Sequence, residues 1–281
     1  MKEFNKAVVR KILIRSVNWI GDAVMTTPAI GAVREQFPQA EITLLANAMV
    51  SQLFIPHEWV DRVITFDRTG LHRGITGRLR LASELKKERF DVAVILPNSF
   101  DSALVPWLAG IPVMLGRRSD GRSLLLTHRY SAEKRSDWHE VEYYLDLLSH
   151  FGINGRSVSP YLVTTKEEEL NSTELLSDNG ISEDDFVLGI NPGATYGSAK
   201  RWYPERFAEV ARRLVDELGA KVVIFGGPGE KDIASEIELA MKGNCLNMAG
   251  RTGARELMAL IKPCNFMVTN DSGPMHIAAA F

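Results

Sequence analysis

Cysteine is scarce in this sequence. Two occur in 281 residues, Cys245 and Cys264, and they have no CxxC spacing. That argues against a disulfide framework and against a thiolate metal site, and both read as small buried hydrophobes. Long apolar runs are also missing: with no stretch of about 18 apolar residues, nothing reads as a membrane-spanning helix. The opening MKEFNKAVVRKILIRS mixes charge into its apolar stretch and lacks a small-residue cleavage site. No secretory signal is expected, and a cytoplasmic location is. His57, His72, His128, His139 and His150 show no ligand spacing, so no metal site is expected. Neither G-x-G-x-x-G nor the G-K-[ST] ending of a Walker A loop is present, which disfavours an NAD-dependent dehydrogenase and a P-loop NTPase.

What is present is an ordinary globular composition, 45% hydrophobic and 24% charged, in a chain long enough for two domains. The net charge of -2 is unevenly spread. Residues 1–160 hold 21 Lys and Arg against 17 Asp and Glu, and residues 161–281 hold 12 against 18. The halves are therefore +4 and -6. An acidic half does not suit nucleic acid, and any anion bound there must be held by local donors. The basic half suits an anionic partner.

Short apolar segments alternate with helical patterns. Residues 11–15, 41–45, 62–66 and 92–96 read as strands in the first half, and 186–190, 221–225, 245–247 and 266–269 in the second. Helices are expected over 204–218, 230–241, 255–261 and from Pro274 onward. Near-continuous apolar strands separated by helices predict parallel sheets covered on both faces, hence a doubly wound α/β architecture in each half. The Ser-, Thr-, Asn- and acid-rich stretch 155–185 reads as the connection, giving domains of 1–165 and 166–281. The arginines between Arg62 and Arg89 read as a solvated helix face that can also meet an anionic substrate or membrane surface. Met248, Met258, Met267 and Met275 read as core or pocket filler.

Four loops carry chemistry. In ILIRSVNWIGDAVMTTPAI, residues 12–30, Gly21 permits a sharp turn at the carboxyl end of the first strand, and Asp22 follows at a helix start. Asp22 reads equally as a helix cap or as a carboxylate that accepts a proton from a sugar hydroxyl. In NPGATYGSAKRW, residues 191–202, two glycines admit backbone N–H groups to an anion, while Lys200 and Arg201 add positive charge. That is a phosphate cradle, the alternative being a loop with solvated charges. FGGPGEKD, residues 225–232, places Glu230 where it can bind ribose hydroxyls or serve as an ordinary helix-start acid. In TNDSGPMHIAAA, residues 269–280, Asp271, Ser272 and Pro274 suit a helix start. The N–H groups of Ser272, Gly273 and Met275 are expected to point at an anion. His276 reads as structural or catalytic.

Taken together, NWIGDAVMTTPA, LPNSFDSALVPWLAGIP, PGATYGSAKRW and TNDSGPMHIAAA resemble glycosyltransferase family 9, the bacterial lipopolysaccharide heptosyltransferases, in order and along nearly the whole chain. The resemblance implies a GT-B fold, two Rossmann-like domains facing a cleft, with acceptor bound by the first and nucleotide sugar by the second. It implies an inverting, metal-independent transfer of L-glycero-D-manno-heptose from ADP-heptose to heptose-Kdo2-lipid A. The enzyme would work peripherally at the cytoplasmic face of the inner membrane. By the same resemblance Asp22 is the general base, and Lys200 holds the donor phosphates with help from Thr195. Glu230 contacts the ribose, Thr252 lines the adenine pocket, and Asp271, Ser272, Gly273, Pro274, Met275 and His276 meet the heptose and diphosphate. Asn98, Ser99, Arg117 and Arg118 are the implied acceptor contacts. Family members continue beyond the last motif, which implies a truncated C-terminal domain here. A relative with another sugar or acceptor, and a non-catalytic nucleotide-sugar-binding module, remain alternatives.

Overall fold

Burial follows the apolar runs. In β1 (Lys11–Arg15) the four residues after Lys11 are all buried, and β2 (Glu41–Ala46) and β4 (Val92–Ile95) behave alike. Consecutive buried positions mean that both faces are covered, as in a parallel sheet under helices. The computed structural model describes residues 5–131, 138–194 and 198–281. The chain divides into two compact units, residues 1–163 and 164–281.

The first unit runs β1, α1 (Ile20–Met25), α2 (Thr27–Gln36), β2, α3 (Ala48–Ser51), β3 (Arg62–Thr65), α4 (Gly74–Glu88), β4 and α5 (Phe100–Leu108). It closes with β5 (Val113–Arg117), β6 (His128–Tyr130) and α6 (Glu140–His150). Among the described residues its six strands lie in the order β3-β2-β1-β4-β5-β6, and every pair is parallel. This order reverses between β1 and β4, and the loops after those two strands open a crevice at the carboxyl edge. The sequence patterns did not mark β5, whose apolar run ends at Gly116, or β6, whose HRY is polar. Pairing of β5 to β4, and of β6 to β5, makes them strands.

The second unit runs α7 (Lys166–Asp178), β7 (Val187–Asn191), α8 (Pro204–Leu218), β8 (Lys221–Ile224), α9 (Lys231–Ala240) and β9 (Leu246–Asn247). It ends with α10 (Ala254–Ile261), β10 (Phe266–Thr269) and α11 (Gly273–Ala278). The strands order β10-β7-β8-β9, all parallel, so the reversal falls between β7 and β10. Helix α8 begins on Pro204 and ends on Gly219 at φ 66°, the Pro-first, Gly-last grammar of a helix. It buries Phe207, Ala208 and Ala211 on one stripe against a core with Leu188, Ile190 and Ile224.

The expected connection over 155–185 is not loop throughout: α7 occupies 13 residues of it. Its sequence, KEEELNSTELLSD, is too polar to show an apolar period. A reciprocal cap starts it, Thr165 Oγ1 accepting from the Glu168 amide while the Glu168 carboxylate accepts from the Thr165 amide. Arg255 of α10 then donates twice to Glu168, at 2.7 and 2.5 Å, and Lys262 donates to Glu169 at 2.6 Å. Cys245 and Cys264 are free and half-buried, and burial pushes their thiols up to about 11 and about 12.

Candidate active site

Parallel strands deliver their following loops to one edge, so each unit gathers its motif residues at a sheet's carboxyl end. In the first unit the β1 and β4 loops are neighbours. Asp22 is the third residue of α1 and half-buried. Trp19 holds the cap position, so Asp22 is not the cap, and Gly21 is helical rather than a left-handed turn. An acid in the first helical turn lies in the positive end of the helix dipole. Tyr144 of α6 lies in its field: burial first, then the Asp22 carboxylate, raises that phenol well above its ordinary value.

The β4 loop is held from beneath by Arg122, whose guanidinium is fully buried. It donates to the carbonyls of Pro97 and Arg117, to Ser102 Oγ at 3.1 Å and to Asn98 Oδ1 at 3.5 Å. Burial lowers its pKa to about 10. Asn98 also donates to the Tyr143 hydroxyl at 2.7 Å, and its carbonyl accepts from Ser119 Oγ at 2.7 Å. Asp120 accepts from the Phe100 amide at 3.0 Å. Asn98, Ser99 and Arg118 are exposed at this edge. Arg117 is not an open contact: it is buried, paired to Asp146 at 2.8 Å, and stacked on the Tyr143 ring at 3.9 Å. An arginine in a sequence is expected outside, and only the fold turned this one inward.

Arg15, the last residue of β1, is likewise buried, over the Phe66 ring at 4.3 Å. Desolvation lowers its pKa to about 10. It lines a cavity with Arg68, His72, Arg78 and Asp101 at the same edge.

In the second unit the β7 and β10 loops meet side by side. Asn191 ends β7 in register with Thr269, the end of β10. Its buried amide donates to Ser272 Oγ at 2.8 Å and to Thr269 Oγ1 at 3.3 Å. Asn270 ties the same loops together, donating to the Pro192 carbonyl at 2.7 Å and accepting from the Trp202 amide at 3.1 Å. Neither asparagine was singled out from sequence, since a strand-end Asn has no local signature. Lys200 Nζ reaches Asp271 Oδ2 at 2.6 Å, and His276 Nε2 stands 4.0 Å from Asp271 Oδ1.

The positive charge that Lys200 brings to its loop is thus met by Asp271 from the neighbouring loop. The hydrogen bond from Lys200 holds the Asp271 carboxyl below its usual range. One expectation changes, since the Met275 amide donates to the Ser272 carbonyl at 3.2 Å and is not available to a ligand. Ser272 stands at the cap of α11, but its hydroxyl donates to the Asn270 carbonyl at 3.1 Å rather than capping. Gly273 and Pro274 open the helix and are half-buried. Thr195 lies outside the described residues.

Glu230 follows β8 and folds back, accepting from the Gly227 amide at 2.7 Å. Its carboxylate lies so close to Gly193 that a Cβ there would stand 1.8 Å from Oε1. The β9 loop joins this edge through Gly250, whose amide donates to the Gly226 carbonyl at 2.8 Å, with half-buried Thr252 two residues on. All four carboxyl-end loops of the second sheet thus contribute a residue the sequence had marked.

The family described as Glycosyltransferase family 9 (heptosyltransferase) matches residues 78–281. The chain belongs to this family. It is 34% identical to the Lipopolysaccharide heptosyltransferase 2 of Salmonella typhimurium and to that of Escherichia coli, in each case over 96% of this chain and 80% of the relative. Among solved structures it resembles a family 9 glycosyl transferase from Veillonella parvula (TM-score 0.87, 26% identity, 96% of this chain and 78% of that one). It also resembles the E. coli ADP-heptose lps heptosyltransferase II (TM-score 0.82, 33% identity, 96% and 82%). The family 9 chain is therefore a glycosyltransferase of GT-B fold, as its motifs implied. Among the described residues no group of three or more His, Cys, Asp or Glu could hold a metal, and no helix is long and apolar enough to cross a membrane.

Proposed function

We propose that this family 9 glycosyltransferase moves L-glycero-D-manno-heptose from ADP-L-glycero-D-manno-heptose to the inner-core heptose of lipopolysaccharide, heptose-Kdo2-lipid A, with inversion. The observation that carries this proposal is the 34% identity, along 96% of the chain, to two proteins named Lipopolysaccharide heptosyltransferase 2. In this assignment the first unit takes the acceptor and the second the donor.

Asp22 takes the proton of the acceptor hydroxyl, and the freed oxygen bonds to the anomeric carbon. The bond from that carbon to the phosphate oxygen breaks, and ADP departs with the electron pair. Negative charge then builds on the diphosphate, and an ammonium aimed at it lowers the barrier. Lys200 supplies that ammonium by exchanging Asp271 for phosphate, so no metal is required. Glu230 takes the ribose hydroxyls, Thr252 the adenine and Thr195 the phosphates. Ser272, Gly273, Pro274, Met275 and His276, with Asp271, border the heptose. Exposed Asn98, Ser99 and Arg118 receive the acceptor, while Arg117 acts through Tyr143. The acceptor's lipid places the reaction at the cytoplasmic face of the inner membrane.

The test is to incubate the chain with ADP-heptose and heptose-Kdo2-lipid A, with and without a chelator, and follow product mass. One added heptose, insensitive to chelation, is the expected outcome. ADP release without addition to this acceptor overturns the acceptor assignment, and loss of turnover with chelator overturns the metal-independent step.

A further inference from the structure

Apolar side chains left in water next to one sign of charge mark a surface that meets something anionic and greasy. In the first unit Ile75 and Leu79 stand one helical turn apart on α4, Ile75 78% exposed, with exposed Leu71 in the loop just before. On α5, which packs beside α4, Phe100 and Trp107 are exposed two turns apart. The Arg78–Asp101 ion pair clips the two helices together.

Charge on this face is one-sided. Residues 62–89 hold eight Lys and Arg against three Asp and Glu, in a chain whose net charge is -2. The acids are already engaged. Glu84 pairs with Arg80 and His72, Glu88 pairs with Arg62, and Asp67 accepts from the Thr69 and Gly70 amides of its own turn. Arg73, Lys86 and Lys87 are exposed on the segment that carries Ile75 and Leu79.

The geometry points to α4 and α5 as the surface by which this chain lies on an anionic lipid bilayer, Ile75, Leu79 and Trp107 entering the headgroup region and Arg73, Lys86 and Lys87 meeting lipid phosphates. A protein partner would need matching acids around an apolar pocket, whereas a bilayer supplies both chemistries over any outline. Docking here has a use. α5 begins immediately after Ser99, so the loop bearing Asn98 and Ser99 is held next to the surface in which a lipid-linked acceptor resides. That benefit, though not the docking, rests on the proposed lipopolysaccharide acceptor.

The test is co-sedimentation of the whole chain with phosphatidylcholine vesicles with and without phosphatidylglycerol. Two triple variants, I75S/L79S/W107S and R73Q/K86Q/K87Q, are compared with a control, R212Q/R213Q, on α8. All are exposed positions, so folding is preserved, and circular dichroism verifies it. The expected result is salt-sensitive binding to the phosphatidylglycerol vesicles, reduced on the order of tenfold or more by either triple variant and unchanged by the control. Transfer to a delipidated acceptor stays unchanged. Equal partitioning of variants and parent, or no preference for anionic vesicles, overturns the proposal. A dimer broken by I75S/L79S/W107S with vesicle binding retained also overturns it, assigning the face to a second copy. Absence of heptose transfer by the parent chain, with partitioning intact, fails the functional proposal and upholds the docking face.

Discussion

Lys200 Nζ lies 2.6 Å from Asp271 Oδ2, a bond between the loop after β7 and the loop after β10 across the point where the strand order reverses. Both side chains are about half exposed, so the pair contributes little to stability, and its importance lies in what it competes with. A diphosphate must take the ammonium from the carboxylate. Asp271→Asn is expected to tighten ADP binding a few-fold, and Lys200→Met to weaken it by at least about tenfold. Calorimetric titration with ADP at low and high salt checks both.

Asp22 sits in the first turn of α1 beside the β4 loop, and its proposed task is proton removal in the transition state. Asp22→Asn should lower kcat by roughly 10²–10⁴-fold while ADP affinity stays within a few-fold. Undiminished turnover would remove Asp22 from the mechanism.

The buried guanidinium of Arg122 binds the Pro97 and Arg117 carbonyls and Ser102 at once. Arg122→Ala strands those acceptors and is expected to cost about 3 kcal/mol. Arg122→Lys keeps the charge but not the fork, and should recover only part. Urea unfolding measures the cost. A raised acceptor KM with unchanged ADP affinity would show that the β4 loop has loosened while the donor side has not.

Gly193 touches the Glu230 carboxylate. A methyl group there cannot coexist with Oε1 at 1.8 Å, so Gly193→Ala must push Glu230 aside. If Glu230 holds the ribose, ADP affinity falls in Gly193→Ala about as much as in Glu230→Gln, and the double variant adds nothing further.

The fork of Arg255 on Glu168 holds that carboxyl below its usual range. A depressed carboxyl pKa contributes stability that is complete above the unfolded value, about 4.3, and is lost as pH falls through the folded value. Arg255→Ala should cost about 2 kcal/mol at neutral pH and progressively less in acid. Thermal melts from pH 7 down to pH 3 should therefore converge for the two proteins.

The local chain itself determined a good deal. Short apolar runs such as KILIR and VAVI, alternating with helix-length patterns, suit strands buried on both faces, so parallel sheets followed from the pattern along the chain. Pro204 and Gly219 bracketed α8 to the residue. The motif loops at the ends of β1, β7, β8 and β10 were visible because small residues, acids and cations cluster there without an apolar period, whereas Asn98 and Ser99 after β4 and Thr252 after β9 came from the family resemblance alone. Polar sequence hid α7 and β6, and β5 went unmarked beside them, since pairing and packing by distant segments decide elements that local propensity leaves undetermined. Charge was the other blind spot. Lys200 and Asp271 are 71 residues apart, and no spacing rule joins them. Strand order β10-β7-β8-β9 sets their loops side by side, just as β5 and α6 turn Arg117 inward onto Asp146. A residue's type says which partners it can satisfy, and the tertiary fold alone says which of them stands within 3 Å.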